Sequence, residues 1–162
     1  MNAGYEALVE YFDSNQWHYD RHDDDLFIHL GFTGEHGQFR CVAAVNEEND
    51  VFQFFSFVPL RGSEAQRPGL SEFICRANYG MKFGRFELDF DDGDLRFHTS
   101  TRYYNQLSQE RIRDTVGSNL LTVDRYLPGL ALLLFAGAEP LDAIRSAEKG
   151  TTHTRRRWDV AG

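Results

Sequence analysis

Hydrophobic residues recur along this chain first at helical spacing and then at strand spacing. Tyr5, Leu8, Val9 and Phe12 share one helical face, which predicts a short amphipathic helix ended by Asp13-Ser14-Asn15. Trp17 and Tyr19 alternate with His18 and Asp20, the pattern of a short strand or extended edge piece, and Asp23-Asp24-Asp25 reads as a turn. Three strands are predicted next, over residues 26–32, 39–45 and 51–58. In the first, Leu26, Ile28, Leu30 and Phe32 lie on one side and Phe27 and His29 on the other. The loop Thr33-Gly34-Glu35-His36-Gly37 joins the first two, and the polar run 46–50 joins the second and third. Pro59, Gly62 and the polar residues up to Arg67 close this meander.

The third strand breaks the usual alternation. Val51, Phe55 and Phe57 lie on one face, and Phe52, Phe54 and Val58 on the other. A strand in a one-sided sheet is expected to be polar at alternate positions. Fully burying a Phe contributes roughly 1.5–3 kcal/mol, so either helices cover both faces or one face meets another protein.

Residues 68–79 predict a second helix, with Leu70, Phe73, Ile74 and Ala77 inward, Pro68 in its first turn and Gly80 at its C-terminal end. A hairpin follows. Asp92-Gly93 signals a two-residue type I′ turn. Centred there, the hairpin pairs Phe90 with Leu95, Leu88 with Phe97 and Phe86 with Thr99 on an apolar face. Asp89 then faces Arg96, and Glu87 faces His98, on a charged one. A longer third helix starts at the N-cap Ser108, with Glu110 in its first turn. Its stripe runs Ile112, Val116, Leu120, Val123, Leu127, Leu130 and Leu134. Pro128 is expected to kink or restart it. Leu132, Leu133 and Phe135 then make its last turns apolar almost all round, which predicts burial on several sides. Residues 140–147 predict a last helix, with Leu141 and Ile144 inward.

The order is α-β-β-β-α-β-β-α-α, with short strand-to-strand loops. This predicts an α+β fold with an antiparallel sheet of about five strands and helices packed on it. The 162 residues suit a single domain over 1–147, followed by a flexible polar tail over 148–162.

Composition narrows the function. Hydrophobic residues make up 41% and aromatic residues 14%, enough for a real core, and the formal net charge is -8. Such acidity argues against general nucleic-acid binding or adsorption to an anionic membrane. The first residues lack the basic start of a signal peptide, and the longest apolar run, 130–136, is too short to span a bilayer. A cytoplasmic protein is expected. Cys41 and Cys75 read as small buried thiols.

Motifs for chemistry fail one by one. Counted from Asp89, Gly93 is fifth and Ser100 twelfth, which is wrong for a calcium loop. His18, Asp20 and His22 would share one side of a strand but have no cysteine or further histidine at ligand spacing. No GxSxG elbow or phosphate loop is present. His153, Arg155-Arg156-Arg157 and Trp158 form a basic-aromatic cluster that reads as a solubilising tail, a contact for phosphate or an acidic protein surface, or a segment folded back on the acidic turns.

Asn78, Gly84-Arg85-Phe86-Glu87-Leu88-Asp89, Asp92-Gly93 and Leu95-Arg96-Phe97 together resemble the YbjN-type domain family, described as bacterial sensory transduction regulators. Val123-Asp124-Arg125-Tyr126-Leu127-Pro128, the apolar run to Gly137, and Glu139-Pro140-Leu141-Asp142-Ala143-Ile144 extend the resemblance. The resemblance implies a fold like that of class I type III secretion chaperones, which are small acidic cytoplasmic homodimers that bind segments of other proteins. It implies no catalytic residue, and the tail lies outside it. The expectation is therefore a non-catalytic protein-interaction module without cofactor or metal. It is expected to be a homodimer that binds a protein or peptide partner as a chaperone-like or regulatory adaptor. Candidate partner residues are Phe52, Phe54 and Phe57 on the sheet and Leu120, Tyr126 and Leu130 on the long helix, where core packing and a dimer interface compete for the same side chains. The alternative is a small-molecule-sensing domain with a pocket between the sheet and the long helix.

Overall fold

A short segment that alternates Tyr19 and Arg21 with Asp20 and His22 opens the sheet as strand β1 (Tyr19–His22). A computed structural model of the chain describes residues 2–149, so the cluster from His153 to Trp158 lies outside the described residues. Before β1 comes helix α1 (Ala3–Ser14). After it come β2 (Phe27–Thr33), β3 (Gln38–Asn46), β4 (Val51–Phe57), α2 (Arg67–Asn78), β5 (Arg85–Leu88), β6 (Leu95–Arg102), α3 (Gln109–Phe135) and α4 (Pro140–Ala147). The six strands form one sheet in the order β1-β2-β3-β4-β6-β5, antiparallel throughout. The sixth strand beyond the expected five is the short edge piece β1.

The helices stack on one face of this sheet. Ile28 and Leu30 of β2, Cys41 and Ala43 of β3, Phe52 and Phe54 of β4 and Phe97 of β6 point toward them and are buried. Long α3 crosses β4 and β6, while α1 lies over β3 and α2 over β5. Loop chemistry fixes the helix ends. The Glu47 carboxylate, from the β3–β4 loop, accepts from the amides of Gly4 (3.0 Å) and Tyr5 (3.2 Å) and so caps α1. The Ser108 hydroxyl accepts from the Arg111 amide at 3.2 Å. Helix α4 can press against α3 because position 129 is glycine: a Cβ there would lie 2.9 Å from both the Ala143 carbonyl oxygen and the Ala147 methyl.

A buried polar group ties α3 to the sheet. The Asn119 amide nitrogen donates to the carbonyls of Phe54 (2.9 Å) and Phe97 (3.1 Å) and approaches Thr99 Oγ1 at 3.2 Å. Its Oδ1 accepts from the Ser56 hydroxyl, which also lies 3.4 Å from Cys41 Sγ. Burial pushes the Cys41 thiol up to about 11, against the hydrogen bond with Ser56, so this thiol is a packing group rather than a nucleophile.

Several expectations need correction. The hairpin pairs Leu88 with Leu95, Phe86 with Phe97, Glu87 with Arg96 and Arg85 with His98, two residues away from the register that a two-residue turn implies. The acids make the difference. Asp89 Oδ1 accepts from the Asp91 amide and Asp92 Oδ1 from the Asp94 amide, both at 2.8 Å, which holds a four-residue loop. Gly93, at φ +77°, donates its amide to the Asp89 carbonyl. A shift of two leaves every side chain on its expected face, but Phe90 is left exposed in the loop. Helix α3 does not restart at Pro128 but continues through it as one element. Its outer face is open: Phe135 is 72% and Leu132 39% exposed, because α4 covers only the opposite side. Cys75 is exposed on the outer side of α2, not buried.

Candidate functional site

Strand alternation that sends one set of residues under the helices sends the other set to a face where, among the described residues, no helix lies. Register places this outer set in rows across the sheet. One row runs His29, Val42, Phe55, His98 and Arg85; the next runs Gly31, Arg40, Phe57, Arg96 and Glu87. Phe27, Ala44, Gln53 and Ser100 form a third. Aromatic and cationic groups lie over one another on this face. Phe55 and the His98 ring stack at 4.3 Å. The Arg96 guanidinium sits 4.5 Å above Phe55 and that of Arg40 5.6 Å from Phe57. Glu87 accepts from Arg96 Nε at 2.9 Å and from Arg85 Nε at 3.3 Å.

His98 is the electrostatic centre of the face. It is 4% exposed. The Gln53 amide donates to its Nε2 at 3.1 Å, which leaves the ring proton on Nδ1, 3.3 Å from Glu87 Oε1. Burial lowers its pKa below 6.5, and the Glu87 carboxylate only partly restores it. For Glu87, burial raises the pKa, but the Arg96 hydrogen bond and the surrounding positive charge outweigh it and leave the carboxyl below 4.5. The consequences for stability share one sign. The unfolded chain binds a proton at His98 that the folded chain refuses, so this stability is complete above 6.5 and declines as the pH falls through that value toward the folded pKa. The Glu87 contribution is present above 4.5 and is lost as the pH falls through its lower folded value. Urea midpoints measured at about pH 7.5 and about pH 5.5 should fall on acidification, and the fall should shrink in His98→Gln; an unchanged fall in that variant would exclude His98 as its source.

The structure separates the six residues suggested by the sequence. Phe52 and Phe54 are fully covered by α3 and its neighbours. Leu120, Tyr126 and Leu130 are core as well, and the Tyr126 ring packs edge-on against Phe73 and Phe86. Those five side chains hold the helices to the sheet and offer no free surface. Phe57 alone is half-buried on the open face. Phe27, Arg40 and Arg96 lie on the same open face, with Phe55 buried beneath the Arg96 guanidinium, and none of them was among the six. The signal was the Val51, Phe55 and Phe57 alternation, but sequence does not say which side of β4 the helices take.

Gly31 interrupts the open face. With no side chain there, a hollow of about 690 Å³ forms, walled by His18, Asp20, His29, Arg40 and Phe57. His22 stacks on Phe27 at 4.3 Å, and His18, Asp20 and His22 do not converge on a common point. Among the described residues, the one metal-compatible group is Glu35, His36 and Asp124. There the α3 carboxylate of Asp124 accepts from the amides of Glu35 (3.1 Å) and His36 (2.9 Å) and from His36 Nδ1 (3.1 Å). Its evident work is to cap the β2–β3 loop. Asp124→Ala should lower the unfolding free energy by about 2 kcal/mol, measured by urea titration; a loss within the scatter of neutral surface variants would remove this role.

A second cleft, of about 760 Å³ and open to solvent, lies between the free end of β6 and the first half of α3. This is where the sheet meets the long helix, at the edge of the fold. No helix among the described residues is long and apolar enough to cross a membrane.

The sequence matches the profile of the YbjN family, described as "Putative bacterial sensory transduction regulator", over residues 5–132. No curated protein sequence matches it. Among solved structures the fold is similar to YbjN from E. coli, with a TM-score of 0.61 and 14% identity over 83% of this chain and 96% of that one. It is also similar to a chain of the ExsC-ExsE complex (TM-score 0.55, 14% identity, 76% of this chain and 90% of that one). A chain of the HopA1-SchA chaperone-effector complex gives a TM-score of 0.53 at 14% identity, over 75% and 91%. At such identity these likenesses establish the fold, which is that of type III secretion chaperones.

Proposed function

This chain belongs to the YbjN family, and from that premise we propose that it is a non-catalytic adaptor that holds an extended segment of a partner protein against the open face of its sheet. The observation that carries this reading is the sheet face that no helix of the described residues covers, where half-buried Phe57 and Val42 lie among arginines. Aromatic and arginine side chains around a partly desolvated centre are the composition of protein-binding hot spots. The hollow over Gly31 accepts one anchoring side chain, with Phe57 for apolar contact and Arg40 as donor. Phe57 is therefore the one sequence-derived candidate carried forward as a contact residue. Two chains of similar fold were solved in complexes with another protein, which supports a protein ligand here.

The homodimer and the cytoplasmic location implied by the family resemblance are part of the same proposal, and light scattering should return the mass of two chains. A small-molecule sensor fits less well, since ligand pockets are lined mainly by apolar side chains, whereas the cleft between β6 and α3 is lined mostly by charged and hydroxyl side chains. The test is affinity purification from the native cell with mass spectrometry. The natural chain should retain a partner in stoichiometric amount, and Phe57→Asp should lose it while remaining folded; equal retention by a folded Phe57→Asp chain would sink the proposal.

A further inference from the structure

Strand β6 is longer than its outer neighbour. β5 begins at Arg85, opposite His98, and Gly84, at φ +80°, turns the chain off the sheet. A side chain at that turn would collide with β6, since a Cβ would lie 2.8 Å from the His98 carbonyl oxygen and 2.7 Å from Thr99 Cγ2. Among the described residues the end of β6 therefore has no outer partner. Its backbone direction follows from the flanking bonds. Leu95 and Tyr103 turn their peptide groups toward β4, by bonds to Val58 and Asp50, whereas Asp94 turns its carbonyl toward Asp89 on the β5 side. Alternation then points the peptide groups of Ser100 and Arg102 outward. The Arg102 carbonyl accepts from Arg111 Nη1 at 3.2 Å. The Ser100 amide and carbonyl and the Arg102 amide have no partner among the described residues.

The cleft along this edge has a charge opposite to that of the chain. Four cations, Lys82, Arg85, Arg111 and Arg113, line it against one carboxylate, Asp114, on a protein of net charge -8. Arg85 pairs with Glu87 and Arg113 with Asp114, which leaves Lys82 and Arg111 with no carboxylate partner among the described residues. Phe83 and Leu121 stand at the cleft, 68% and 73% exposed.

We propose that the free edge of β6 at Ser100 and Arg102 takes an extended, acidic segment of a partner protein as an added strand, its carboxylates on Lys82 and Arg111 and its apolar side chains on Phe83 and Leu121. An open strand edge is satisfied in register by another backbone, and the cations select the sign of its side chains. The proposal rests on the adaptor reading and adds a second point of contact and a partner chemistry.

The experiment selects random short peptides by display against the full chain. Enriched peptides should be rich in Asp and Glu alternating with apolar residues, and their binding should protect the amides of Ser100 and Arg102 from hydrogen exchange. Lys82→Glu/Arg111→Glu should weaken them by about 10-fold or more, and Lys82→Ser, which leaves the Arg111 contacts to β6 intact, should weaken them less. Single-stranded DNA should not displace them. Absence of enrichment, peptides that are not acidic, unprotected Ser100 and Arg102, unchanged affinity for the double variant, or displacement by DNA would each overturn the proposal. Phe57→Asp keeps the two readings apart: it should leave these peptides bound and lose the native partner.

Discussion

Asn119→Ala should unfold with about 3–5 kcal/mol less free energy than the natural chain. Asn119 is fully buried and lies where α3 crosses β4 and β6. Its two amide protons serve the Phe54 and Phe97 carbonyls and the Thr99 hydroxyl oxygen, and its carbonyl accepts from Ser56. Alanine would leave those groups in a dry interior with a void beside them. Ser56 could turn toward Cys41, and Thr99 would keep its bond to the Thr115 carbonyl at 2.8 Å, so relief would be partial. Asn119→Asp, which accepts but cannot donate, should lose at least as much, because a carboxylate would face two backbone carbonyls. Urea unfolding at neutral pH measures both. A loss below about 1 kcal/mol, the average for any point variant, would mean that α3 is held by its apolar stripe alone.

The second large effect concerns binding rather than folding. Phe57→Asp combined with Arg40→Glu should weaken the native partner at least 100-fold, about 2.7 kcal/mol, while changing stability by about 1 kcal/mol or less. Arg40 is exposed and Phe57 half-buried on a face that no helix of the described residues covers, so the fold can absorb their replacement. A partner anchored in the hollow over Gly31 would meet a carboxylate where it needs an apolar wall, and repulsion in place of a donor. Isothermal titration with the purified partner separates the two effects. A loss of affinity that tracks a loss of folded protein would contradict the placement.

Much of this architecture is legible in the sequence because local chemistry and tertiary packing agree. Ser108 reads as an N-cap and is one. The closing helix falls at Pro140–Ala147, as its proline and apolar spacing imply. The alternation in β4 correctly announced two apolar faces. The hairpin register was not legible, since Asp89 and Asp92 act through side-chain bonds that widen the turn, and a dipeptide rule cannot see them. The site was half legible for a similar reason. Phe52, Phe54 and Phe57 look alike along the chain, but a helix eventually covers two of them and spares the third, and that choice belongs to packing at a distance. Asp124 was visible only as one residue of a family motif; its capping of a loop some ninety residues earlier has no local sign. The outward edge of β6 depends on where β5 starts, which Gly84 sets by a close approach across strands.

Photo-crosslinking inside the native cell tests the central claim most directly. A benzophenone side chain placed at position 57, on the open sheet face, should capture the partner, and the same group at position 135, exposed on the helical side, should not. Capture from position 135 with none from position 57 would contradict the account.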